Sequence, residues 1–191
     1  MCSSDLNRPS PPTSSEPGDR FQYDPLYPVP SRGGAMLGPR AGMVLQNEIE
    51  ARPDVLVYST DILEQAMEVT GPVRAILHVS TNAPHTDFTA KLVDVYPDGH
   101  AYNISNGILR HAYVSEDRIT KIEIELWPTS RVFAKGHRVR LEISSSDFPR
   151  FDRNPNTGRP IATETETRIA TQVIHHETET PSCLILPVIP R

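Results

Sequence analysis

The stretch ITKIEIELWP, residues 119–128, alternates apolar and acidic side chains with a period of two. Ile122, Ile124 and Leu126 would lie on one face of a β-strand, with Glu123 and Glu125 on the other. The stretch HRVRLEISSS, residues 137–146, repeats the pattern, with arginines and Glu142 opposite the apolar positions. Strands of this kind pack one face on a core and leave the other in water, as antiparallel sheets do. These two stretches predict an all-β fold.

Similar runs extend in both directions along the chain, and turn signals such as Gly71-Pro72 separate several of them. We therefore predict that residues 53–191 form about eight antiparallel strands in two facing sheets, a jelly-roll β-sandwich. The best helical spacing, DILEQAM at residues 61–67, predicts a short helix or turn. The further runs are DVLVYST, VRAILHVST, TDFTAKLVDVYP, HAYNISNGILRHAYV, TRIATQVIHH and CLILPVI.

Two segments of different composition precede this domain. Residues 1–20 are rich in Ser and Pro and contain almost no large aliphatic side chain. They can bury too little surface to offset the entropy of ordering, so we expect a disordered tail. Residues 21–52 are interrupted by Pro and Gly but contain aromatic residues and methionines. We expect this segment to be an extended linker that lies on a surface and has no regular element of its own.

Composition narrows the class of protein. A net charge of −5 does not indicate a nucleic-acid or membrane partner. No apolar run approaches the length of a bilayer span, and the first twenty residues lack the apolar region of a signal peptide. The two cysteines, Cys2 and Cys183, do not indicate a disulfide framework. We expect a cytoplasmic protein without a cofactor.

The densest polar stretch is SSSDFPRFDRNPNTG, residues 144–158, and it suggests a calcium loop. Its alternating oxygen-bearing side chains are Asp152, Asn154 and Asn156. However, the glycine, Gly158, stands one place too late, and Thr163 occupies the position where a bidentate glutamate belongs. We therefore predict a structural, metal-free loop whose Asp and Asn side chains, Asp152 included, hydrogen-bond the backbone.

Nucleophilic catalysis is not indicated by the residues present. The chain has no Gly-x-Ser-x-Gly pentapeptide, and the serines at 144–146 stand at a predicted strand end, where local turn hydrogen bonds are common. His175 and His176 are adjacent on a predicted strand, so their side chains point to opposite faces and cannot easily share a metal. We expect the remaining candidates to be solvated or hydrogen-bonded: His78, His85, His100 and His137. No catalytic, cofactor-binding or metal-ligating residue is predicted.

Five segments in register carry a resemblance to a known family. They are YDPLYPVPSRGGAM (23–36), VTGPVRAILHVST (69–81), TDFTAKLVDVYPDGHAYNISNGILR (86–110), ELWPTSRVFAKGHRVRLEISSSDFPRFDRNPNTG (125–158) and PSCLILPVI (181–189). In order and spacing they closely resemble the C-terminal domain of the X-Pro dipeptidyl-peptidase and cocaine esterase family of serine hydrolases. The match covers about residues 20 to 191. The first segment resembles the connection that leaves the catalytic domain.

The resemblance implies a jelly-roll domain, galactose-binding-like in shape, that packs on an α/β-hydrolase domain. In the family that other domain carries the Ser-Asp-His triad, so no catalytic residue can be transferred to this chain. Relatives hydrolyse X-Pro dipeptides, esters or β-lactam side-chain amides. We expect a non-catalytic domain, inactive alone, that stabilises the catalytic domain and forms one wall of its substrate cleft.

Two further expectations follow from this interpretation. Without its neighbour, the domain would expose an apolar docking surface and could self-associate. The side chains of the linker that would contribute to this surface are Phe21, Tyr23, Tyr27, Met36 and Met43. The alternative function is a free-standing carbohydrate- or ligand-binding β-sandwich, which a row of exposed aromatic residues over a concave sheet would favour. Trp127 is the only tryptophan in the chain.

Overall fold

The computed structural model describes residues 18–38, 41–112 and 118–190. Within them the chain forms ten strands and one helical turn. In chain order these are β1 Asp19–Tyr23, α1 Asn47–Glu50, β2 Leu56–Ser59, β3 Met67–Thr81, β4 Thr86–Val95, β5 Ala101–Ala112, β6 Thr120–Phe133, β7 Arg138–Ser144, β8 Ala170–His175, β9 Cys183–Ile185 and β10 Val188–Ile189.

The strands form two antiparallel sheets. Sheet A is organised around the long strand β3, which pairs with β6 along one edge and with β8, β9 and β10 at successive positions; β1 adds to β8. Sheet B has the order β2-β7-β4-β5. One apolar core draws its side chains from both sheets. The predicted all-β jelly-roll sandwich is confirmed.

Strand β6 follows the alternation that its sequence predicts. Ile122, Ile124 and Leu126 are buried in the core, whereas Glu123 and Glu125 are exposed. Strand β7 departs from its prediction at one residue, because Glu142 is only 3% exposed although it belongs to the face expected to be wet. The reason is that α1 and the residues before it cover this part of sheet B, as described below.

The expectation that residues 21–52 contain no regular element is wrong. Strand β1 begins at Asp19 and pairs with β8, and Phe21 and Tyr23 belong to the central core. The segment also contains α1. The expected disordered tail of residues 1–20 is wrong at its end, because Asp19 and Arg20 are paired in β1. Residues 1–17 lie outside the described residues, so disorder there stays a prediction. Residues 61–67, expected as a short helix or turn, bend at Glu64 and Gln65 and lead into β3.

Strands β5 and β6 come unusually close to each other at Gly107. A Cβ atom on Gly107 would lie 2.0 Å from the carbonyl oxygen of Glu125 and 3.1 Å from the Cα of Leu126. Nearby, the Ser105 hydroxyl donates to the carbonyl oxygen of Trp127 at 2.5 Å. Only glycine fits at this crossing, so the residue type at position 107 determines how closely the two sheets approach here.

No helix in the described part of the chain has the length and apolar character that a membrane span requires.

Candidate functional site

The three consecutive serines lie at the end of β7 and are buried. Ser144 Oγ shares a 2.6 Å hydrogen bond with Thr89 Oγ1 and donates to the carbonyl of Ser146, and Ser146 Oγ accepts from the backbone N–H of Val29 at 2.8 Å. Ser145 Oγ accepts from Gln172 Nε2 at 3.1 Å. None of these described hydrogen bonds involves a histidine, which a serine nucleophile needs as its base. The arrangement favours the structural interpretation.

The two asparagines of the following loop are buried and have every side-chain oxygen engaged. Asn154 Nδ2 donates to Asp87 Oδ1 at 2.7 Å, and Asn154 Oδ1 accepts from the N–H of Asn156 at 3.0 Å. Asn156 Nδ2 donates to the carbonyl of Arg168 at 2.8 Å, and its Oδ1 accepts from Thr86 Oγ1 at 3.0 Å. Asn156 has a positive φ of 63°, which asparagine tolerates better than most residues. These side-chain oxygens already accept hydrogen bonds that hold the loop together.

Asp152 does not have the role that its position in the sequence suggests. Its side chain is exposed, and only its backbone carbonyl takes part in the described network, accepting from Arg110 Nη2 at 2.9 Å. A buried carboxylate that Asn154 contacts is Asp87, which also accepts from Arg110 Nε at 3.1 Å. No group of three or more potential metal ligands of the His, Cys, Asp or Glu type occurs among the described residues.

We expect Asn154→Ala to destabilise the domain by about 2 kcal/mol, because it removes a buried hydrogen bond to the Asp87 carboxylate. Asp152→Ala is the matched control and should change stability by less than about 0.5 kcal/mol, as exposed substitutions usually do. Urea unfolding of the two variants measures both effects. Equal losses in the two variants would contradict this assignment.

Calcium gives a second readout for the same loop. A ligand that binds only the folded state raises the melting temperature. We expect neither millimolar calcium nor a chelator to shift the melting temperature of the domain. A rise of several degrees with calcium, abolished in Asp152→Ala, would show that the loop binds a cation.

Among the described histidines, His78 and His175 are cross-strand neighbours on β3 and β8, and the others lie apart from them or have different partners. His175 Nε2 is 3.0 Å from Ser80 Oγ, and His176 Nε2 is 3.2 Å from Asp19 Oδ2, so these neighbours have different partners. Burial lowers the pKa of His175, and also that of His78. His85 is buried beside Asn154. The structure thus brings two of these histidines, His78 and His175, side by side, but no group of three potential ligands forms among the described residues.

A buried acidic residue, Asp94, organises a cluster that sequence reasoning missed. Asp94 is completely buried on β4 and accepts from Arg131 Nη2 at 2.6 Å and Nε at 3.1 Å. His137 Nδ1 donates to its other oxygen at 2.8 Å, and the His137 ring packs on Tyr96 with centroids 4.5 Å apart. Aspartate–histidine pairs occur in hydrolase triads, but no serine or cysteine contacts His137 among the described hydrogen bonds. Asp94 therefore joins β4, β6 and the turn before β7.

Four exposed apolar side chains line two clefts to which the consecutive residues 26 and 27 contribute. Leu26 is 59% exposed, Tyr27 73%, Phe148 38% and Ile169 52%, and we call these four residues the Leu26–Tyr27 face. Tyr27 and Ile169 line an open cleft of about 710 Å³. Leu26 and Phe148 line a second cleft of about 530 Å³. The two clefts have no lining residue in common, but the consecutive residues Leu26 and Tyr27 contribute one to each. Exposed apolar surface of this kind is typical of an interaction surface.

The backbone of this face is held in place by two arginines. Arg52 Nη2 donates to the carbonyl of Tyr27 at 2.8 Å and forms a salt bridge with Asp54. Arg153 Nη1 donates to the carbonyl of Pro25 at 3.0 Å, and its guanidinium lies 5.6 Å from the centre of the Phe148 ring. Leu26 and Tyr27 are therefore displayed on a fixed loop, which reduces the entropy lost when a partner binds.

For two residues, the prediction that they lie on a docking surface is wrong. Phe21 and Tyr23 are buried in the core, because strand β1 turns them inward. Tyr27 and Met43 are exposed as expected, and Met36 is half-buried. Leu26, Phe148 and Ile169 were missed, since exposed apolar residues in loops and strand ends look the same as core residues in a sequence.

The exposed aromatic residues do not support a sugar-binding platform. Trp127 is 61% exposed on β6 but lines neither of the two clefts, where Tyr27 and Phe148 lie. A carbohydrate-binding sheet would instead present its aromatic side chains along its strands, whereas Tyr27 and Phe148 lie in loops.

Comparison with known proteins identifies a matching family and similar relatives. The family model described as the X-Pro dipeptidyl-peptidase C-terminal non-catalytic domain matches residues 3–185. Cocaine esterase from Rhodococcus sp. (strain MB1 Bresler) is 44% identical over 192 aligned positions, which cover 94% of this chain and 33% of that protein. The chain thus spans about a third of the length of this curated relative.

Two solved structures are similar over nearly the whole chain. An aminopeptidase from a marine sediment archaeon, Thaumarchaeota archaeon, matches with a TM-score of 0.87 and 28% identity, covering 95% of this chain and 34% of that chain. An α-amino acid ester hydrolase matches with a TM-score of 0.83 and 26% identity, covering 94% of this chain and 34% of that chain.

Proposed function

Because the chain belongs to the family of X-Pro dipeptidyl-peptidase C-terminal non-catalytic domains, we propose that it stabilises an α/β-hydrolase domain and forms one wall of its substrate cleft. The whole protein would then hydrolyse an ester or amide bond. The names of its relatives support this class of reaction, since they include an esterase, an aminopeptidase and an ester hydrolase. The chain spans only about a third of each of these relatives, which leaves room for a catalytic domain.

The observation that carries the proposal is the Leu26–Tyr27 face. It combines exposed apolar side chains with a backbone that Arg52 and Arg153 hold in place. Interfaces between domains of one chain bury about 600–1,500 Å² and are less apolar than a core, with charged groups at the rim. The charged residues beside the face fit such a rim; they are Arg20, Asp24, Asp54, Asp152 and Glu164.

The site geometry supports a non-catalytic role for the chain itself. Acyl transfer by a serine hydrolase needs a nucleophile, a base within hydrogen-bond reach and oxyanion donors. The serines at 144–146 are committed to structural hydrogen bonds, and Asp94 and His137 form a pair without a nucleophile among the described contacts. We expect the purified chain to hydrolyse neither chromogenic esters nor X-Pro anilides. Turnover lost on replacing Ser144, Ser145 or Ser146 would contradict this part of the proposal.

A chimera tests docking directly. In it, this chain replaces the matching third of the Rhodococcus cocaine esterase, to which it is 44% identical. We expect the chimera to fold and to hydrolyse esters. Tyr27→Asn and Ile169→Asn should then lower its melting temperature by several degrees, because each removes apolar contact and places an amide in the interface. Val132→Asn is the matched control, since Val132 is 41% exposed on β6 and lines neither cleft.

The same three variants in the isolated chain separate docking from folding. All three residues are exposed there, so each variant should change the stability of the isolated domain by less than about 0.5 kcal/mol. If the two face variants destabilise the isolated chain as much as the chimera, the residues serve the fold and not an interface. If the Val132 variant harms the chimera equally, the docking surface lies elsewhere.

Self-association and a cytoplasmic location stay proposals. A bare Leu26–Tyr27 face would favour association of the isolated chain, and light scattering of Tyr27→Asn against the parent protein would detect it. The alternative of a free-standing carbohydrate- or ligand-binding module is not favoured, because Tyr27 and Phe148 lie in loops and Trp127, on β6, lines neither cleft.

A further inference from the structure

Charged side chains are buried where α1 and the residue before it lie on sheet B. Five side chains meet there: Gln46, Glu50, Lys91, Arg140 and Glu142, which we call the α1 seam. The four charged ones are 4–19% exposed, and Gln46 is completely buried. None of them lines the two clefts described above. Burial of four charged groups is costly unless each is paired, so their contacts define the seam.

One oxygen of each carboxylate has a cationic partner. Lys91 Nζ donates to Glu142 Oε2 and to Gln46 Oε1, both at 2.9 Å. Arg140 Nη1 donates to Glu50 Oε2 at 2.7 Å, and its Nε donates to Ser59 Oγ at 2.7 Å. Through these bonds, strands β4 and β7 hold α1 in place.

The second oxygen of each carboxylate has no such partner. Glu50 Oε1 and Glu142 Oε1 are both inaccessible to solvent, and neither accepts a hydrogen bond from a donor among the described residues. The two carboxyl groups are close enough for Glu50 to raise the pKa of Glu142, and a proton on one of them could be donated to the other. Two ionised carboxylates in contact would repel each other in a site that excludes water. One proton between them satisfies both oxygens.

We propose that Glu50 and Glu142 share one proton in the folded domain, so that the α1 seam is a pH-sensitive latch that fastens residues 46–52 to sheet B. The latch goes beyond the docking role and does not depend on it. Opening it would also loosen one end of the Leu26–Tyr27 face, because Arg52, which follows α1, holds the carbonyl of Tyr27.

The surroundings of the pair set the direction of its response to pH. Burial raises the pKa of Glu142 to about 7, against the opposing effect of Lys91 and with a further rise from Glu50. The other charged groups nearby are Arg140 on β7 and Asp147, which lines the same small cavity as Lys91 and Glu142. On the outer side of α1, Glu48 is exposed and pairs with Arg32.

The folded state therefore binds a proton more tightly than the unfolded state does. Stability from the shared proton is complete below the ordinary glutamate pKa, falls as the pH rises toward about 7, and levels off above it. Each unit of pKa difference corresponds to a tenfold change in the folding equilibrium. We expect the equilibrium for opening of α1 to rise at least about tenfold between pH 5 and pH 8.

Hydrogen exchange of the backbone amides in this segment tests the latch. The N–H of Gln46 donates to the carbonyl of Ala101, and that of Glu50 to the carbonyl of Gln46. After correction for the intrinsic pH dependence of exchange, both should open more readily at pH 8 than at pH 5. Glu142→Gln keeps the size of the side chain and supplies a permanent donor for Glu50, so opening should become independent of pH over this range. Glu48→Gln, on the same helical turn but exposed, should retain the parent's response.

Thermal melts of the same variants give an independent readout. Between pH 5 and pH 8, the melting temperature of the parent should fall further than that of Glu142→Gln. At pH 8 the Glu142→Gln variant should therefore be the more stable protein. Glu50→Gln should behave in the same way, which covers the case in which Glu142→Gln fails to fold. A glutamine variant with the parent's pH profile, or α1 amides whose opening does not change with pH in the parent, would overturn the proposal.

Discussion

Gly107→Ala is expected to cost at least about 3 kcal/mol of folding stability, and it is the most damaging single-methyl substitution that we predict. The added Cβ would lie 2.0 Å from the carbonyl oxygen of Glu125, well inside van der Waals contact. Overpacked sites usually relax by moving a side chain, but the atom met here belongs to the backbone. Both strands are also fixed by their neighbours, since Gly107 pairs with Ala90 and Glu125 with Arg74.

Gly99→Ala is the control for this substitution. Gly99 has a positive φ of 87° in the turn before β5, so alanine there is strained, but no atom lies within 4 Å of the added Cβ. We expect a loss of about 1 kcal/mol at Gly99 and a clearly larger one at Gly107. Urea unfolding compares the two. Similar losses would mean that β5 and β6 can separate without penalty.

Asp94→Ala is expected to destabilise the domain by about 3–4 kcal/mol. The substitution leaves Arg131 and His137 without the buried carboxylate to which both donate. Removing one partner of a buried ion pair commonly has a cost of this size, because the remaining charge is only partly solvated. The Arg131 side chain is about a quarter exposed, so the expected loss of stability is at the lower end of the range for buried ion pairs.

A second aspartate–histidine pair provides the control. Asp98 lies 2.8 Å from His100, the same separation as Asp94 from His137, but both members of this pair are more than half exposed. Asp98→Ala should therefore leave the unfolding midpoint almost unchanged, because exposed ion pairs contribute little. Comparable losses for the two variants would show that burial does not determine the importance of Asp94.

The sandwich could be predicted from sequence because strand alternation is a local signal. In β6, every second residue from Ile122 to Leu126 is apolar, and this pattern alone orients the strand. Glu142 shows where a local signal fails. Its alternation correctly places it on the outer face of β7, but nothing nearby in sequence indicates that Gln46 and Glu50 cover that face.

The loop of residues 144–158 shows that local sequence spacing is equally insufficient for predicting a site. Spacing suggested that Asp152, Asn154 and Asn156 act together, whereas the structure exposes the first and buries the other two. Asn154 finds its carboxylate at Asp87, and Asn156 is held by Thr86 and Arg168. These partners come from other elements, so no spacing within the loop could identify them. Strand β1 was missed for a related reason, because its pairing with β8 joins opposite ends of the described chain.

The central position of β3 also determines how fast the domain can fold. Its partners come from widely separated segments, since Val79 pairs with Thr120 on one side and with Ile174 on the other, and Ile174 in turn pairs with Asp19. The chain loses loop entropy before these pairings contribute, so we expect folding on the millisecond-to-second scale of other β-sandwiches. Until β8 and β9 arrive, β3 presents a long unpaired edge that can hydrogen-bond to another molecule. The time needed to close sheet A, more than the final stability of the fold, is therefore expected to limit the yield of folded protein.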